Sequence, residues 1–233
     1  MLRLVFASFL ALASAPFGRS QGSGTLLGHV EGNTYFLGNG AFKIDIPVLP
    51  KLGGTITDTI DVVTFEDTYS THISIAAFPQ DATQRWELST RGSKDYLIYF
   101  FSNFVLRDFK QAYQGVTVEN RFEYLPGLFD GGLTTFVLMP GGSMFADKVP
   151  VLAPDAKPPV AKRGNLLFVK NGFIYVISIE LAERVLEGSA YRKTSDQEDT
   201  ILHNRLLDVA GKIAFAMPAP PPASAPRPVS PAR

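Results

Sequence analysis

The stretch from Arg163 to Glu180 constrains the fold more than any other part of the sequence. Asn171-Gly172 suits a two-residue hairpin turn, because both central residues need positive φ, which Asn tolerates and Gly takes freely. Leu166–Val169 forms one predicted arm and Phe173–Ile179 the other. The second arm is apolar or aromatic at nearly every position. A strand wet on one side would alternate more cleanly, so this run predicts a central strand covered on both faces.

The flanking sequence supplies further strands. Tyr35–Leu37, Gly38-Asn39-Gly40 and Phe42–Ile46 read as a second hairpin by the same turn logic. Its second arm alternates Phe42, Ile44 and Ile46 with Lys43 and Asp45, the mark of a half-buried strand. Thr55–Phe65 and Ile73–Phe78 are predicted to pair as antiparallel strands around the turn Glu66–Ser70. Asn120–Leu125 and Leu133–Met139 are two more.

Between these strands the period changes. Leu97, Phe100, Phe101, Phe104 and Val105 fall at helical spacing within Ser93–Phe109, with Ser93 as the expected cap and a break at Gly92. Leu181–Glu187 predicts a short helix. Ser195-Asp196-Gln197-Glu198 reads as a capping box opening a helix to about Ile213, with Leu202, Leu206, Val209 and Ile213 as its buried stripe. The predicted class is therefore α+β, an antiparallel sheet flanked by helices.

Both ends read differently from the middle. In Met1–Ser20, Arg3 precedes the nine-residue apolar run Leu4–Leu12, followed by Ala11-Leu12-Ala13 and Ala13-Ser14-Ala15. Such a run is too short for a helix across a bilayer core of about 30 Å and has the form of an export signal. Residues 21–33 are glycine-rich and expected to be flexible. Residues 34–217 are read as one domain carrying a proline-rich surface loop, 140–162, with five prolines in 23 residues. Residues 218–233 hold seven prolines in 16 and are expected to form an extended, disordered tail.

The order of elements resembles the PsbP-like and DcrB-like superfamily. The likeness runs from Tyr35 and Phe42-Lys43-Ile44-Asp45-Ile46-Pro47, through Ile73-Ser74-Ile75, to the Arg163-Gly164…Phe168…Gly172…Tyr175 hairpin and Val209…Ile213-Ala214-Phe215. The resemblance implies a bent antiparallel sheet between helices and a non-catalytic accessory or binding role. It carries over no site residue.

Charge and residue content remove several function classes. With 22 basic and 22 acidic residues the chain lacks the basic excess that phosphate binding needs, so no nucleic acid is expected. The absence of cysteine excludes disulfides, thiolate metal sites and a cysteine nucleophile. His29, His72 and His203 are far apart in sequence and are read as surface or edge residues, since a metal needs three or four converging ligands. Asp58, Asp61, Glu66 and Asp67 lack the spacing of a calcium loop and read as a wet strand face and turn. Gly141-Gly142-Ser143-Met144 lacks the second glycine of a nucleophile elbow, so Ser143 reads as a turn serine. Lys162 and Arg163 are expected as exposed charges at a strand start, with a small anion site as the alternative.

No catalytic, cofactor-binding or metal-ligating residue is assigned, and no cofactor is expected. The leading expectation is an exported module, periplasmic or secreted and without an integral membrane span after signal cleavage. It would bind an unknown protein of the cell envelope. Two alternatives stand beside it: a small envelope hydrolase or lyase using the acids of 58–67 with His72, and a carrier of lipid or another apolar ligand walled by the Leu97–Phe109 helix.

Overall fold

The predicted turn organises the observed sheet. In the computed structural model, which describes residues 26–149 and 158–216, Asn171 and Gly172 have φ of 50° and 80°. They join β9 (Val160–Lys170) to β10 (Phe173–Glu180), paired antiparallel from Phe173 opposite Lys170 to Glu180 opposite Arg163. The other strands of this sheet are β4 (Thr55–Asp58), β5 (Val62–Glu66), β6 (His72–Pro79), β7 (Thr117–Leu125) and β8 (Gly132–Pro140). The order is β4-β5-β6-β10-β9-β8-β7, so β10 is the central strand. It is buried from Ile174 to Glu180. Tyr175, Ile177 and Ile179 enter one core, while Ile174 and Val176 enter the other. The predicted export signal and the proline-rich tail lie outside the described residues, as does the middle of the 140–162 loop.

One face of the sheet is covered by a helical run. It comprises α1 (Ala82–Arg91), α2 (Ser93–Phe100), a π-helical turn (Phe101–Val105) and α3 (Leu106–Ala112). The expected break falls at Gly92, whose φ of 78° a residue with a side chain would resist. Gly92 also takes the capping position foreseen for Ser93, which makes no cap bond. Tyr96, Leu97, Phe100, Phe101, Val105 and Phe109 are buried against the sheet.

The opposite face holds α5 (Ser195–Lys212) and a second sheet. Between β10 and α5 lies the short α4 (Ala182–Leu186). Leu202, Leu206 and Val209 of α5 enter the core as its periodicity predicts. Gly164 of β9 is a close-approach point, since a Cβ there would lie 3.0 Å from Leu202 and Leu206 side-chain atoms. The second sheet, with order β1-β2-β3-β11, comprises β1 (His29–Glu31), β2 (Thr34–Phe36), β3 (Phe42–Asp45) and β11 (Ile213–Phe215). Its β2–β3 hairpin is the one expected, and Phe42 and Ile44 are buried between exposed Lys43 and Asp45.

Several boundaries differ from the sequence reading. Residues 29–31, expected to be flexible, form β1 on β2. Thr55–Phe65 is two strands, because Thr59 turns the chain: its N–H donates to Val62 O at 2.8 Å and its Oγ1 accepts from Val62 N at 3.1 Å. Thr194, not Ser195, caps α5 and forms the capping box with Gln197. The loop expected on the surface sends Phe145 into a small core with Ala182 and Val185.

Lys162 differs most from expectation. Strand β9 starts at Val160, and its alternation turns Lys162 inward toward α5, where it is 0% exposed. A buried ammonium is tolerated only when paired. Lys162 Nζ meets Asp199 at 2.6 Å and Glu198 at 3.2 Å, pairs with Glu119, and bonds Ser195 Oγ at 3.2 Å. Arg184 adds two bonds to Glu198, at 2.5 and 2.7 Å. Burial alone would depress the Lys162 pKa, but the three carboxylates outweigh it and hold it above the ordinary lysine range. Substituting Glu198→Gln takes one of three carboxylates from Lys162 and the only carboxylate paired with Arg184 among the described residues, and is expected to lower stability by roughly 1.5–3 kcal/mol. Asp208→Asn, which removes the exposed pair with Lys212, is expected to cost under about 1 kcal/mol. Urea midpoints of the two variants check the contrast.

Candidate binding groove and the His72 cleft

The face of the large sheet under α1–α3 carries a buried polar band. Thr64, Ser74, Ser178, Asn165 and Thr135 lie opposite one another across β5, β6, β10, β9 and β8. All five are buried, and Thr64 and Ser74 share a 2.9 Å hydroxyl bond. Nearer the strand ends, Arg163 lies opposite Glu180, with its Nη2 3.4 Å from Glu180 Oε2. Both residues are buried, which corrects the reading of Arg163 as an exposed charge. Ser143 donates its Oγ–H to Glu180 Oε1 at 2.6 Å, and Met144 N–H donates to Oε2 at 3.1 Å. Ser143 is therefore a turn serine that fastens the loop after β8 to the central strand.

His72 stands opposite Glu66 in the same layer and is 5% exposed, not at the surface as expected. Burial, and then the charges of Arg163 and Lys148, push its pKa down to about 3. Among the described residues its Nδ1 has no hydrogen-bond partner. It lines a cleft of about 250 Å³ with Glu66, Asp67, Asp147 and Lys148. Three of the groups suspected of acid–base chemistry thus meet, while Asp58 and Asp61 do not join them. Asp58 accepts from Leu27 N–H at 3.0 Å, Gly28 N–H at 2.7 Å and the Tyr35 hydroxyl at 2.7 Å. Asp61 accepts from Asn39 Nδ2 at 2.8 Å. Asp67 Oδ1 is itself occupied by the N–H groups of Tyr69, Ser70 and Thr71 at 2.8–2.9 Å. Burial pushes the Asp67 carboxyl up, but those bonds prevail and hold it below the usual range. Among the described residues no three His, Asp or Glu side chains are grouped to hold a metal. His29 and His203 are apart from the cleft, His29 stacked on Phe36 and His203 3.6 Å from Glu123.

A second cleft, of about 540 Å³, involves Tyr99, Ser102, Asn103, Phe104, Arg107 and Lys110. It opens on the solvent side of the α2–α3 run. The side chains beneath that run are packed into the core, so this cleft is not the one the carrier reading requires.

A third concavity, a groove of about 390 Å³, lies on the small sheet. His29, Phe36, Lys43 and Ala214 form one row across its four strands. The His29 ring stacks on Phe36 at 4.6 Å and 8°, and Lys43 Nζ lies 5.5 Å from the centre of the same ring. Leu27, Leu37, Phe42 and Phe215 supply the rest of the apolar lining, and Gly38 and Gly40 its open end. The walls are fixed from behind. Asp58 holds Leu27 and Gly28 through their N–H groups. Asn39 accepts from Ala41 N–H at 2.9 Å and donates to Asp61 and Ala77 O, each at 2.8 Å. Phe215 stands edge-on to Tyr175 and Phe168, at 5.1 and 5.8 Å. The sequence signals only the alternation of Phe42–Asp45. The groove itself is made by four separate segments and was not foreseen.

No family model and no curated protein sequence matches the chain. Solved structures do. Its structural neighbours include PsbP and Mog1. Cyanobacterial PsbP (CyanoP) from Synechocystis sp. PCC 6803 matches over 87% of this chain and 100% of that one, at 17% identity and a TM-score of 0.43. The Ran-binding protein Mog1p of Saccharomyces cerevisiae matches over 78% and 94%, at 10% identity and a TM-score of 0.45. A structure from Bacteroides thetaiotaomicron VPI-5482 matches over 81% of this chain but 50% of its own length, at 8% identity and a TM-score of 0.37. This chain therefore spans half the length of the Bacteroides protein. The fold is α+β with a large antiparallel sheet and helices, as the sequence predicts.

His72 makes stability pH-dependent. It is neutral in the fold and takes a proton in the unfolded chain below pH about 6.5, so its contribution is full above that pH and falls toward pH 3. The expected loss from this group is about 1.4 kcal/mol per pH unit below the unfolded pKa. Between pH 6.5 and 5, His72→Gln should flatten the decline in the denaturation midpoint.

Proposed function

We propose that this chain is an exported, non-catalytic accessory module that docks an extended apolar segment of a cell-envelope protein in the groove of the small sheet. The groove carries this reading. Its aromatic floor, open glycine end and braced walls offer a preformed apolar concavity of the kind that binding sites use. Lys43 and His29 at its side give a docked segment a polar contact beside the Phe36 ring. The export signal expected in Met1–Ser20 supplies the destination. The acids and the serine that resemble catalytic groups hold loops in place: Asp58, Asp61, Asp67 and Ser143 all have structural hydrogen bonds.

One observation favours an envelope hydrolase or lyase instead, namely the meeting of Glu66, Asp67 and His72 in one cleft. Against it, a histidine held at a pKa of about 3 is a weak base near neutral pH.

Crosslinked affinity capture from the envelope, with the full chain and with Phe36→Asp, tests the docking reading. Capture of a defined partner should drop at least about tenfold in the variant, as expected when a central aromatic contact is lost. Equal capture by both sinks the groove as the docking surface. Turnover that survives Phe36→Asp and vanishes in Glu66→Gln would favour the hydrolase instead. Intact Met1 on a wholly cytosolic protein would refute export.

A further inference from the structure

We propose that the partner segment docked in the groove of the small sheet carries an acidic side chain, and that Lys43 selects it. The inference rests on the reading of the groove as a docking site and names the chemistry of its occupant. Three observations support it: Lys43 has no acid partner, it is held in position, and its neighbours in the groove are apolar.

Of the described residues that line the groove, only His29 and Lys43 can carry a charge, and both charges are positive. His29 already has an acid at hand, its Nε2 lying 3.4 Å from Glu31 Oε1. Among the described residues no carboxylate pairs with Lys43. Its ammonium meets the Phe36 ring instead, at 5.5 Å from the ring centre. Asp45 lies two residues along β3 on the same face, but there it accepts from the Thr34 hydroxyl at 2.9 Å. The groove thus offers one cation whose charge is not balanced by the fold.

That cation is also positioned. Strand β2 lies between β1 and β3, so His29 and Lys43 reach Phe36 from opposite sides. The His29 ring steadies Phe36 by stacking on it at 4.6 Å, and the negative face of an aromatic ring attracts an ammonium. A lysine held this way loses less freedom on meeting a carboxylate than one that moves freely. Leu27, Leu37, Phe42 and Phe215 exclude water once a segment covers the groove, which strengthens an ion pair beside them. Lys43 itself is exposed, so the pair forms at the side of the groove and escapes the full desolvation cost of a buried one. A basic residue in the same place would be repelled. Side chains two residues apart on an extended segment point the same way at a repeat of about 6.6 Å. An apolar side chain set against Phe36 therefore places the acid at Lys43 two positions away.

The test selects displayed random heptapeptides on the full chain, on Lys43→Glu and on Phe36→Asp, with circular dichroism to confirm that each variant is folded. Peptides selected on the wild-type chain should carry Asp or Glu two positions from a large apolar residue, and Lys43→Glu should abolish that preference. One selected peptide is then synthesised with both ends blocked, beside a counterpart whose acid is changed to the amide. Calorimetry should show the acidic form binding the wild-type chain at least about tenfold more tightly. The difference should shrink to under about twofold on Lys43→Gln, because the pair is then already broken. Equal binding of the two forms by the wild-type chain, or a difference that persists in Lys43→Gln, overturns the inference. If binding is still lost in Phe36→Asp, the docking reading stands without it. Peptides that bind the wild-type chain and Phe36→Asp alike, or a selection that enriches none, sink the docking reading and the inference together.

Discussion

A two-residue turn sets the register of β9 against β10, and a slip of one residue there would exchange the faces of both strands. With Asn171 and Gly172 at positive φ, Phe168 stacks on Tyr175 at 4.9 Å on one side of the sheet. On the other side Arg163 comes to lie opposite Glu180. The two central strands are buried on both faces, so neither has a wet side to absorb an error. The positions of α5 and of the α1–α3 run follow from which side chains this register sends each way.

The adjacent pair Lys162-Arg163 shows how far that control extends. Consecutive residues on a strand point to opposite faces, so one cation goes to each layer. Lys162 finds Glu119, Glu198 and Asp199 between β7 and the start of α5. Arg163 finds Glu180, which Ser143 also holds. Each buried charge ties a different connection to the sheet: α5 on one face, the loop after β8 on the other. Apolar packing alone would let a helix slide along its stripe, whereas a cation with three acid partners accepts one position.

Period-based features were legible in the sequence. The central hairpin, the stripe of Leu97, Phe100, Phe101 and Val105, and the α5 stripe of Leu202, Leu206 and Val209 each announce themselves within one element. The interior charges did not. Whether Lys162 is wet or buried depends on Glu198 and Asp199, which only folding brings beside it. His72 reads as an edge residue until the loop carrying Met144 and Phe145 is known to line the same cleft. The two strands in 55–66 are joined by Thr59-Ile60-Asp61, which lacks the glycine or proline that marks most tight turns. At three residues each, β1 and β11 are too short to show a period. The groove between them was illegible for the same reason.

Asn171 also gives the fold a chemical clock. An exposed asparagine followed by glycine is a site where side-chain amides hydrolyse slowly to carboxylates. Here that amide belongs both to the turn that sets the sheet and to the bond that holds Ala216. Hydrolysis would replace a donor with an acceptor facing a carbonyl oxygen, and the two would repel. The aspartate product tolerates the left-handed conformation and would keep the hairpin while losing the bond to Ala216, whereas an isoaspartate product would also lengthen the backbone at the turn. Aged molecules of this protein, separable by their extra negative charge, would differ from young ones at the turn and at its bond to Ala216.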